Sequence, residues 1–117
     1  MDTATLQKVV SMYAEAFEKA DISIIQNLYA EDATVEDPVG SPPRKGHAEI
    51  TEFYKSAFDM GVKLVLDGNP RCAGNSVAFN FHVIMGDMKI SPIDVFELNP
   101  EGKVQSMRAY WGPESMG

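Results

Sequence analysis

From Leu6 onward the apolar side chains return every three or four positions, and Leu6, Val10, Tyr13, Phe17 and Ala20 fall on one stripe. That spacing predicts a first helix over 3–20. Asp21 is a suitable cap for a short second helix carrying Ile24, Ile25, Leu28 and Tyr29. A short strand is expected at 33–36. The loop Asp37-Pro-Val-Gly-Ser-Pro-Pro43 follows, punctuated by prolines and glycine. A third helix is expected over 47–58, with Ile50, Phe53, Tyr54, Ala57 and Phe58 turned inward. The period then changes to two. Val77, Phe79, Phe81, Val83 and Met85 alternate with Ala78, Asn80, His82 and Ile84, which reads as a strand over 76–86. Further strands are expected at 62–67, 89–98 and 103–111, the last with Met107, Ala109 and Trp111 on one face. Gly86-Asp87 and Asn99-Pro-Glu-Gly102 serve as hairpin turns. Helices first and strands later predict an α+β fold: a curved antiparallel sheet with about three helices over its concave face, enclosing a conical cavity.

Composition narrows the classes. A chain of 117 residues can bury a core without covalent staples, so one domain over 1–117 is expected. A net charge of −7 disfavours nucleic acids and anionic membranes, which select basic surfaces. Cys72 is alone, which excludes an internal disulfide, and it has no evident base beside it. His47 and His82 make a poor metal pair, the first in the opening turn of a helix and the second on the polar side of its strand. No metal or cofactor is expected. The first residues carry no basic flank or apolar run, and no stretch is long enough to span a bilayer. A cytoplasmic location is the default expectation.

Asp94 changes the picture most. Strand alternation puts it on the face of Ile90, Pro92, Phe96 and Leu98, all apolar. Either it points to water or pairs with a cation at a strand edge, or burial raises its pKa and keeps it protonated. A neutral carboxylic acid on an apolar wall can donate a hydrogen bond to a developing negative charge. Tyr13, Tyr54 and Tyr29 lie on inward helical faces, and their hydroxyls need partners once buried. Converging phenols would strengthen the donor at the end of their chain. Asp37 ends a strand before Pro38. It reads as ordinary turn chemistry or as a free carboxylate on a cavity rim. Trp111 is either core packing or an N–H donor that orients such a carboxylate.

Four segments carry a resemblance: Tyr29-Ala-Glu-Asp-Ala-Thr-Val-Glu-Asp-Pro-Val-Gly40, Phe53-Tyr54, Pro92-Ile-Asp-Val95 and Met107-Arg-Ala-Tyr-Trp-Gly112. Together they resemble the bacterial ketosteroid isomerases (steroid delta-isomerases) of the nuclear transport factor 2-like, or SnoaL-like, superfamily. The similarity runs in order from Val9 to Gly112. It implies a cone-shaped α+β fold and a homodimer through the outer sheet face. It also implies Asp37 as catalytic base, Tyr13 and Asp94 as oxyanion hole, Tyr54 and Tyr29 as the phenol chain behind Tyr13, and Trp111 as the aromatic beside the base. The implied reaction converts a 3-oxo-delta-5 steroid, a small apolar substrate, to its delta-4 isomer without a cofactor. Phe17, Phe53, Phe58, Phe81, Val83 and Met107 are the expected walls. The superfamily also includes other acid–base enzymes, such as polyketide cyclases and dehydratases, and hydrophobic-ligand binders.

Overall fold

The computed structural model describes residues 1–117. Helix α1 (Thr3–Lys19) starts where the Asp2 carboxylate accepts from the Thr5 N–H at 2.8 Å. Its stripe of Leu6, Val9, Val10, Tyr13 and Ala16 is buried. Helix α2 (Ile22–Leu28) is capped by Asp21, as expected.

Tyr29, expected at the end of α2, instead opens strand β1 (Tyr29–Glu36) in extended conformation, φ −92° and ψ 142°. The aromatic and β-branched residues of that segment favour a pleated surface, and the strand begins four residues earlier than its alternation suggests. Strand β2 (Arg44–Lys45), too short to leave a periodic signal, pairs with β1 and leads into α3 (Gly46–Asp59). Strands β3 (Lys63–Leu66), β4 (Arg71–Ala73) and β5 (Ser76–Met85) follow, then β6 (Met88–Ile90), β7 (Ile93–Leu98) and β8 (Val104–Tyr110).

The expected single strand over 89–98 is broken into β6 and β7 at Ser91-Pro92. Proline has no N–H for the ladder, and the Ser91 N–H turns away to the carbonyl of Ser115 at 2.9 Å.

The sheet runs β2-β1-β8-β7-β5-β3, with β4 and β6 also paired to β5. Its other pairings are antiparallel, but β1 lies parallel to β8. The sheet is therefore mixed rather than antiparallel. Alternation along a strand carries no information about the direction of its neighbour. The concave face presents Val77, Phe79 and Phe81 from β5, Asp94, Phe96 and Leu98 from β7, and Met107 and Ala109 from β8. The three helices cover it. Of the 23 buried residues, Asp94 is the one carboxylate.

Candidate active site

Between α1, α3 and the concave face lies a cavity of about 300 Å³. Of its 16 lining residues 13 are hydrophobic, so a charge inside it is poorly solvated. Asp94, Tyr13, Asp37 and Trp111 all open onto it.

Asp94 faces inward because β7 alternates, with Phe79 and Ala109 as its cross-strand neighbours. It is 1% exposed, and its Oδ1 has no hydrogen-bond partner. Loss of solvent pushes its carboxyl well above the usual range, and the charge of Asp37 adds to this; the Tyr13 phenol acts the other way. Burial therefore favours the protonated form of Asp94. No cation accompanies it, so the strand-edge and ion-pair readings of its sequence position fall away.

The Tyr13 hydroxyl is hydrogen-bonded to that of Tyr54 at 3.1 Å, and Tyr54 to Tyr29 at 2.5 Å. All three phenols are buried and desolvated, so each is held well above its ordinary pKa and stays neutral. Edge-on contacts fix the Tyr13 ring, 5.1 Å from Phe96 and 5.2 Å from Phe17. The chain joins α1, α3 and β1, and only Tyr13 and Tyr54 reach the cavity.

Asp37 follows β1 directly. Its Oδ1 accepts from the Trp111 indole N–H at 2.6 Å. Burial raises its pKa, while that hydrogen bond and the positive charge of Arg44 oppose the rise. The neighbouring Glu36 is turned outward, pairing with Arg108 at 3.1 Å and accepting from the Gly40 N–H at 2.9 Å. Asp37 is therefore the carboxylate of this pair that faces the cavity.

Phe17, Phe53, Phe81 and Val83 line the cavity as expected, but Phe58 and Met107 do not. Phe58 sits behind Phe17, their rings 5.0 Å apart. Met107 is fully buried between its strand neighbours Val35 and Phe96. An inward side chain packs against the core or borders the hollow, and period alone does not distinguish the two.

The lining residues missed are Ala57, Met60, Val62, Met85, Met88, Ile90 and Pro92. Inward alternation along β5 reaches Met85. Met60 and Val62 come from the turn after α3, where no period operates. His82 is hydrogen-bonded to Asp67 at 2.9 Å away from the cavity, and His47 bonds the backbone carbonyl of Tyr29.

The SnoaL-like domain matches residues 9–110. The chain belongs to that family. This SnoaL-like chain is 37% identical over 118 residues to a steroid delta-isomerase of Nocardioides simplex, covering 97% of itself and 95% of that protein. It is 27% identical to the epoxide hydrolase LasB of Streptomyces lasalocidi, of whose length it spans 43%. Among solved structures it superposes with a TM-score of 0.92 on SalBIII, an epoxide hydrolase/cyclase-like enzyme of pyran ring formation in the polyether salinomycin. That match has 32% identity and covers 99% of this chain and 97% of SalBIII. The resemblance to ketosteroid isomerases and the cone-like α+β fold agree with these matches. Its relatives in the family are enzymes, and of more than one kind.

Proposed function

We propose that the protein isomerises 3-oxo-delta-5 steroids to their conjugated delta-4 forms by moving one proton. The observation that carries this reading is the shared cavity. A neutral carboxylic acid with an unpartnered oxygen and a phenol backed by two others open onto the same apolar space as a tethered carboxylate.

In the proposed reaction Asp37 removes the proton at C4. The electron pair moves into the ring system, and the carbonyl oxygen at C3 becomes a dienolate oxygen. Tyr13 and protonated Asp94 donate hydrogen bonds to that oxygen. Preorganised donors in a dry site act most strongly where charge develops, and each contributes about 10²–10³ in rate. Asp37 then returns the proton to C6, and the double bond moves into conjugation. Trp111 holds the carboxylate between the two carbons. Burial keeps Asp94 protonated, while Trp111 and Arg44 limit the rise at Asp37, so the acid and the base titrate apart. Ketosteroid isomerases are themselves the standing example of a carboxylic acid kept neutral to donate a hydrogen bond.

The test is the absorbance of the conjugated enone when the purified protein meets 5-androstene-3,17-dione. Rapid enone formation is expected, with most turnover lost in Asp37→Asn while an equilenin-like phenol still binds. An undiminished Asp37→Asn protein would sink the assignment of the base.

The likeness to SalBIII supports a second reading, epoxide opening, with Asp94 protonating the oxirane oxygen and Asp37 accepting a proton from the attacking hydroxyl. The phenol chain favours the isomerase, because it adds donors to an anionic oxygen and does nothing for a nucleophile. An epoxide consumed where no enone forms would reverse that preference.

We also propose that two copies pair through the outer sheet face. Val65, Ile84, Ile93 and Tyr110 point away from the core there and are 37–48% exposed.

A further inference from the structure

Arg44 stands at the edge of the sheet, opposite Val35 in the antiparallel β1–β2 pair. Val35 is buried against the core, and Asp37, just beyond the end of β1, opens onto the cavity on the same side. Arg44 shares that side. Its guanidinium carbon lies 4.2 Å from the centre of the Phe53 ring, a cation–π contact that fixes the charge.

Phe53, Ala57 and Met60 line both the cavity and an open groove on its far side, and Arg44 borders that groove. The charge therefore sits behind the wall that the base faces. No carboxylate neutralises it by direct ion pairing.

We infer that Arg44 is a positioning residue for Asp37, supplying across the Phe53 wall the one positive charge that this carboxylate faces. The groups around Asp37 are Tyr13 from α1, Tyr54 from α3, Asp94 from β7, Trp111 after β8 and Arg44 from β2. The two phenols and Asp94 are neutral through burial, and the indole is an uncharged donor. Glu49 and Glu52 border the groove beside Arg44 and oppose its field.

A cation in direct contact would tie the carboxylate down and weaken it as a base. One held behind an aromatic ring favours ionisation and leaves the oxygens free to take a proton. The influence of Arg44 on Asp37 runs in that sense, against the effect of burial.

The inference rests on Asp37 as the base, so its test has a readout that needs no substrate. The side-chain carboxyl of Asp37 is titrated by NMR in protein labelled with ¹³C-aspartate, with Asp37→Asn giving the assignment. The same titration is run on Arg44→Met, Arg44→Gln and Arg44→Lys, and kcat/KM is followed against pH. In the two neutral variants Asp37 is expected to titrate at higher pH than in the wild type, and in Arg44→Lys close to it. The acid limb of kcat/KM moves the same way, giving a several-fold loss at low pH and little change on the plateau.

An Asp37 titration unmoved in both folded neutral variants overturns the inference, and so does a rate loss uniform across pH. A protein that never isomerises steroid sinks the reading of the reaction, and the titration still decides the role of Arg44.

Discussion

A carboxyl group that is protonated when folded and ionised when unfolded ties stability to pH with a definite sign. Asp94 is such a group, raised well above its ordinary value by burial. Its contribution is fully present below the unfolded pKa of about 3.9 and is lost as pH rises toward the folded pKa. Asp94→Asn keeps the shape and removes the titration. The variant is expected to gain Tm relative to wild type steadily as pH rises from about 4 toward neutrality. Thermal unfolding across that range checks this, and parallel curves for the two proteins would contradict a protonated Asp94. Such a cost in stability suits a residue retained for chemistry. Asp94 was legible in the sequence because alternation alone puts it among Ile90, Pro92, Phe96 and Leu98. Its orphaned oxygen was not, since a partner elsewhere in the chain could have satisfied it. Phe58 and Met107 were misread as walls because inward-facing and cavity-lining positions share one period.

The three phenols link elements distant in the chain, Tyr13 on α1, Tyr54 on α3 and Tyr29 at the start of β1. Tyr54 is the middle member. Tyr54→Phe removes both hydrogen bonds and leaves the buried Tyr29 hydroxyl without this partner. Stability is expected to fall by about 1–3 kcal/mol, the usual cost of an unsatisfied buried polar group. Turnover falls as well, because Tyr13 loses its support. Tyr29→Phe cuts the chain at its far end and is expected to cost less in both. Urea unfolding and enone formation measure the two effects, and equal losses for the two variants would contradict that order. At this scale the helices and the long β5 were legible from their periods and caps. The parallel β1–β8 pairing was not, because pairing direction is set by chain path. The break at Ser91-Pro92 was within reach, since the proline was there to read.

Helices preceding strands sufficed to give the α+β class and its hollow, while the outer surface emerged only with the register. Val65, Ile84, Ile93 and Tyr110 are scattered in sequence and gather on one face once β3, β5, β7 and β8 align. If that face joins two copies, Ile93→Lys is expected to yield monomers that keep the cavity, and sedimentation velocity reports the change. A wild-type protein that stays monomeric at high concentration would contradict the pairing. Curvature brings Asp37, just past the end of β1, over the same space as Asp94 on β7, and the proposed reaction depends on that meeting. The most direct measurement is to follow deuterium placed at C4 of 5-androstene-3,17-dione in ordinary water. If Asp37 carries the proton between carbons across a water-poor cavity, the delta-4 product keeps deuterium at C6, and Asp37→Asn forms almost no product. Enone formation that persists in Asp37→Asn, or no enone from the wild type, would contradict the account.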